Sequence, residues 1–191
     1  MKEIALEILI CIIVAVLVMI IHELAKSIVY LCVRKAQGQT ASHNNSILAI
    51  WRYIDPLGIL LSVTCFVPIS KPHLFRIRDK KTNMILGITG FTVLLLLFIS
   101  SLVILKTGVF AMGKFFALFW QYVAMLSFDM FIANMFPVST FDIGLIIAGV
   151  SSRHYLQIIK ADSVIKLIFI LTLISGLIHF GCIRLLRLIL W

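Results

Sequence analysis

Charge is what this sequence has least of. Charged side chains make up 13% of its 191 residues, and only 8 residues are acidic. A soluble domain carries about 25% charged residues, so this chain has too little polar surface to coat a water-facing globule. Apolar residues take up the difference, at 62% of the chain with a mean hydropathy of +1.13. Cysteine is scarce as well. Cys11, Cys32, Cys65 and Cys182 each lie in or beside an apolar run without CxxC spacing. That excludes a zinc ribbon or a secreted disulfide framework and leaves them as small hydrophobes. No repeat, low-complexity tract or linker interrupts the chain, and its length suits one compact domain with no separate soluble module. The composition predicts an integral membrane protein.

The net charge of +9 does not point to nucleic acid. Lysines and arginines fall in short gaps between apolar runs, as at Lys71, Arg76, Arg78, Lys80 and Lys81. Loop bias and anionic headgroups place them there in membrane proteins. A nucleic-acid surface would need a folded polar face to display them.

A spanning helix needs about 20 apolar residues. By that measure residues 4–33, 84–105, 115–135 and 164–190 are predicted spans. The first is too long for a signal-peptide core and lacks a small-residue cleavage site. Arg34–Tyr53 reads as a polar loop. Pro56–Ile69 is apolar but short and bounded by Pro56, Pro68 and Pro72, so it is predicted to be re-entrant or interfacial. A short apolar piece, 144–150, precedes the polar stretch Ser151–Asp162. If Pro56–Ile69 is re-entrant, Arg34, Lys35, Arg52, the 71–81 cluster, Arg153 and Lys160 share one side. Lys2, Lys106, Lys114, Arg184 and Arg187 fall on the other. The richer side is then cytoplasmic.

Ionisable residues inside an apolar helix are costly and become functional candidates by default. The first span contains His22, Glu23 and Lys26. Residues three and four apart share a helix face, so the three belong together. In HExxH, two histidines one turn apart hold zinc and the glutamate is a general base; here the spacing reads HExxK. His43, His73, His154 and His179 have no such company, and each is expected to be a loop or packing residue. Phe115, Phe116, Phe119 and Trp120 are expected to face lipid or pack.

Three further segments follow in order. Tyr53-Ile-Asp55-Pro56-Leu-Gly58 resembles an HIDPxG element, and Val67-Pro68-Ile-Ser-Lys71-Pro72-His-Leu-Phe75-Arg76 resembles KPVPVNPxxFR. Asn134-Met-Phe-Pro137-Val-Ser-Thr-Phe-Asp142-Ile-Gly144 resembles NxxPxPPLDGG. With HExxK, they make the chain from His22 to Gly144 similar to the small bacterial site-2 proteases, intramembrane zinc metalloproteases. The resemblance implies an all-α, polytopic fold of site-2 protease type with a short re-entrant segment, in a bacterial plasma membrane. It implies His22 and Asp142 as zinc ligands, Glu23 as catalytic base, and Asn134, Pro137 and Gly144 as residues that shape the bend delivering Asp142. The Pro56–Ile69 segment and a Val67–Lys71 strand would lie near the substrate's path.

The departures are as informative. Lys26 stands where the second histidine belongs. Thr89-Gly90-Phe91 replaces Ala-Gly-Pro, and Leu94 replaces an asparagine. Ser139 and Thr140 replace the prolines before the aspartate, and Ile143 replaces the first glycine after it. To bind a metal, Lys26 would have to lose a proton, at roughly 4–5 kcal/mol from an unperturbed pKa of about 10.4. Metal binding offsets part of that cost, but two remaining protein ligands fall short of the usual three. A protonated Lys26 can instead neutralise Glu23 and Asp142, with a protonated His22 completing the charge balance.

The expected function is therefore that of a catalytically impaired pseudoprotease. It would bind a transmembrane helix or membrane partner within the bilayer, with zinc weak or absent. Two alternatives stand beside it: an active zinc-dependent intramembrane endopeptidase, and a structural subunit of a membrane complex.

Overall fold

The computed structural model describes residues 2–38, 49–72, 79–108 and 113–190. The described residues form helices and no strand: α1 (Lys2–Ala36), a 3-10 turn (Ile50–Tyr53), α2 (Pro56–Cys65), α3 (Lys80–Thr107), α4 (Lys114–Asn134), α5 (Asp142–Val150), α6 (Ser152–Ile174) and α7 (Leu177–Leu190). Three of them, α1, α3 and α4, are long and apolar enough to cross a membrane. A fourth crossing results if the bent pair α6–α7 counts as one.

Alpha1 has 35 residues and, at 1.5 Å per residue, is about 50 Å long, well beyond a hydrocarbon core of about 30 Å. Apolar side chains of α1, α3 and α4 fill the centre of the bundle. Val14, Val18, Met19, Leu94, Val123, Leu126 and Met130 are all buried there. Outward-facing leucines and isoleucines, such as Leu96 on α3 and Leu167 and Leu171 on α6, remain exposed, as lipid contact requires.

The far end of α1 and the start of α3 meet. Gln37 Nε2 donates to Asp79 Oδ2 at 3.3 Å, and Asp79 caps α3 by accepting from the backbone of Lys81 and Thr82. The chain between them thus leaves and returns at one end of the bundle. Within it, the Tyr53 and Ser27 hydroxyls lie 2.7 Å apart, and Ser62 C=O accepts from Cys11 Sγ at 3.4 Å. The segment from Tyr53 through α2 therefore runs antiparallel to α1, from the level of Ser27 to that of Cys11, 16 residues or about 24 Å along α1. Asp55 caps its start through Leu57 N–H, with Pro56 in the first turn, and Phe66 ends it in a left-handed conformation. The chain then climbs back to Ser70, and Lys71 N–H bonds to Tyr53 C=O at 3.1 Å.

Two expectations need correction. The segment expected to span over 164–190 is not one straight helix but a pair bent by 51°, which makes a single crossing if the pair counts as one. Alpha6 starts earlier, at Ser152, with Ser151 as its cap, so the polar stretch Ser151–Asp162 is largely helical. It stops at Ser175–Gly176, where Gly176 takes a φ of 67°; glycine ends helices in this way, and a hydropathy average passes over a single break. Second, Val67–Lys71 forms no strand ladder among the described residues. It is a single strap. The expected loop histidines His43 and His73, and Phe75, Arg76 and Arg78 of the basic cluster, lie outside the described residues.

Candidate functional site

The helix-face argument places His22, Glu23 and Lys26 on one side of α1, and the fold brings Asp142 to them. Alpha4 ends at Asn134, and Pro137 prevents its continuation. The turn that follows closes through Phe141 N–H to Val138 C=O at 3.1 Å. Asp142 becomes the first residue of α5, where a helix N-terminus favours negative charge. Asn134 stitches this bend together, since its Nδ2 donates to Met130 C=O and its Oδ1 accepts from Asp142 N–H. Gly144 allows the tight return. A Cβ there would overlap the Val138 carbonyl and come within 2.8 Å of the Ser139 carbonyl oxygen.

The four ionisable side chains form a closed ring, and none is more than 3% exposed. Lys26 Nζ lies 2.6 Å from Glu23 Oε1 and 3.0 Å from Asp142 Oδ1. His22 spans the same two carboxylates, with Nε2 at 2.7 Å from Asp142 Oδ2 and Nδ1 at 3.2 Å from Glu23 Oε1. Both imidazole nitrogens thus face carboxylate oxygens, and a ring protonated on both satisfies them. Two cations then balance two anions. Ser70, from the strap after α2, donates its hydroxyl to Glu23 Oε1 at 2.8 Å. Glu23 Oε2 has no hydrogen-bond partner among the described residues.

Alpha3 supplies the wall. A Cβ on Gly90 would collide with the Asp142 carboxylate, and one on Gly87 would come within 2.6 Å of the Asp142 carbonyl oxygen. Gly90 is thus the space in which the aspartate sits. Leu94 lies wholly buried in the apolar centre, and Phe91 packs edge-on against Phe131. Ser139 is held by α6, its N–H donating to Asp162 Oδ1 at 3.0 Å and its carbonyl accepting from the Tyr155 hydroxyl at 3.5 Å.

Along α1, Glu23 lies 13 residues from the helix end at Ala36, a distance of about 20 Å. A small cavity of about 10 Å³ lies beside it, lined in part by Glu23, Lys26, Pro68, Ser70, Asn134 and Thr140. That is room for about one water molecule. Among the described residues, no group of three or more His, Cys, Asp or Glu side chains is arranged to hold a metal ion.

Sequence reasoning did not single out Ser70, Asp129 or the pairing of His179. Ser70 sits among prolines, and nothing local marks it as a partner of Glu23. Asp129, wholly buried on α4, bonds to His179 on α7 at 2.9 Å, so His179 is more than a packing residue. The signal for Asp129 was available as a lone carboxylate inside an apolar run. Comparison with protein-family models, with curated proteins and with solved structures finds no significant match to this chain.

Proposed function

We propose that this chain is a site-2 protease-like membrane protein in which the place of a catalytic centre is taken by an ion-pair network. It acts as a pseudoprotease that binds a transmembrane helix or membrane partner without cutting it. The observation that carries this reading is the Lys26 ammonium group, one turn from His22 and bonded to both Glu23 and Asp142. A cation in that position does for the two carboxylates what a metal would do, and it leaves His22 and Asp142 as the only donors from the expected ligand set. Three protein ligands are usual at a catalytic zinc, so the donor set does not fit one, and no hydrolytic step is derived from it. The four groups remain ionisable and buried, as residues kept for a role inside a bilayer are.

The same reading takes Pro56–Cys65 as re-entrant and the basic end as cytoplasmic, because Arg34, Lys35, Arg52, Lys71, Lys80 and Lys81 flank the paired ends of α1 and α3. A bacterial plasma membrane is the location that goes with it.

One observation favours the enzyme alternative. Glu23 Oε2 has no hydrogen-bond partner among the described residues, and Glu23 lines a cavity large enough for about one water, as a general base would. Metal analysis after chelation and zinc reloading separates the two. The expected result is no zinc in the unaltered protein and measurable zinc in Lys26→His, which restores a three-ligand set with an open position. Stoichiometric zinc in the unaltered protein, lost on His22→Ala, would overturn the pseudoprotease reading.

A further inference from the structure

A second polar cluster lies across α4 and α7, away from the ion-pair ring. Asp129 Oδ2 accepts from His179 Nδ1 at 2.9 Å, and the Cys182 thiol, on the same helix as His179, also faces the Asp129 carboxyl group. The histidine ring also stacks on Phe66, with centroids 4.2 Å apart and 11° between planes. Tyr122 lies beyond Phe66, its ring nearly parallel at 6.3 Å.

Phe66 is the residue at which α2 stops and the chain turns back. It adopts φ 58° and ψ 22°, a left-handed conformation that is an outlier for a bulky side chain. Among the described residues the other positive φ angles belong to Gly38, Gly108 and Gly176. Glycine would make the same turn without strain, so the turn itself does not call for an aromatic ring. The ring's value lies in what it touches. Backbone strain is kept where surrounding contacts over-determine it; here those contacts are the rings of His179 and Tyr122 and the apolar centre against which Phe66 packs. Four residues further on, Ser70 donates to Glu23.

We infer that Asp129 and His179 form a latch. The carboxylate fixes the imidazole as a platform, the platform holds Phe66, and Phe66 holds the strap Val67–Ser70 closed over Glu23 and Lys26. The latch stands whether or not a partner binds. Its consequence for access rests on the partner-binding reading: a polar segment that reaches Glu23 must first lift Ser70, and the latch sets how readily that happens.

Hydrogen–deuterium exchange of the full-length protein in detergent reads the strap directly. In His179→Ala, the amides of Val67 and residues 69–71 should exchange on the order of tenfold faster, as expected when an aromatic stack that closes a local unit is lost. Peptides from the centres of α1 and α3 should be unchanged. If the strap exchanges at the native rate while the fold is intact, the latch is refuted. Should His179→Ala accelerate exchange everywhere, Phe66→Leu decides, because it removes the stack and leaves the Asp129–His179 bond in place. A local rise over 67–71 then supports the latch, and no rise overturns it. Cross-linking of a partner helix is a separate readout, so failure of the partner-binding reading is distinguishable from failure of the latch.

Discussion

Replacing Lys26 with methionine removes one charge and little volume. In the structure its ammonium contacts two carboxylates at 2.6 and 3.0 Å, with the side chain 3% exposed. After the change Glu23 and Asp142 share one cation, His22, and a net negative charge is left in a site where water cannot screen it. Breaking a buried ion pair from one side typically costs about 3–5 kcal/mol. For a chain of this size that corresponds to a fall in Tm of roughly 6–20 °C. The comparison variant is Glu23→Gln, Lys26→Met and Asp142→Asn together. It keeps shape and leaves amides for His22 and Ser70 to bond, so the uncompensated charge disappears. Its loss should be less than half that of the single change, because well-matched neutral groups replace buried ions at little net cost. Thermal unfolding in a mild detergent, followed by circular dichroism, compares the three proteins. Equal destabilisation by the single and triple variants would show that Lys26 contributes packing alone, and the charge-balance argument would fail.

The remaining predictions address topology, the wall of the site and pH. Cysteines placed at Lys35 and Lys81, in a background without the native thiols, should react with an impermeant reagent from the same face of the membrane; labelling from opposite faces would mean that Pro56–Cys65 spans. Gly90→Ala should cost about 1–3 kcal/mol through overpacking against the Asp142 carboxylate, and in the Lys26→His background it should reduce zinc uptake; a silent substitution would show that α5 shifts freely. The Thr82 hydroxyl, with the backbone of Lys81 and Thr82, holds the Asp79 carboxyl below the usual carboxylate range. A depressed pKa contributes stability that is present above the unfolded value and lost as pH falls through the folded one. Amide exchange in the first turn of α3 should therefore be constant from pH 7 to pH 5 after correction for intrinsic rates, and rise below about pH 4. A rise between pH 7 and pH 5 would contradict this assignment.

The membrane character and the grouping of His22, Glu23 and Lys26 were legible in the chain itself. Both depend on short-range regularities: the length of an apolar run measured against bilayer thickness, and the 3.6-residue turn that puts positions 22, 23 and 26 on one face. The meeting of Lys26 with Asp142 is of another kind. It spans 116 residues and was expected from a family resemblance, whereas in the fold it depends on the turn at Pro137, the Asn134 bridge and the space at Gly90. No local pattern could say that Ser70 returns to Glu23 or that His179 finds Asp129, because each pair joins helices or straps far apart in sequence. The break at Ser175–Gly176 was readable from its glycine, but averaging over an apolar run conceals it. Sequence alone decides which segments avoid water, because transfer free energy is a property of each residue. Which buried charges find one another is decided by packing, because a carboxylate in a low-dielectric interior is stable only where the fold brings it a partner.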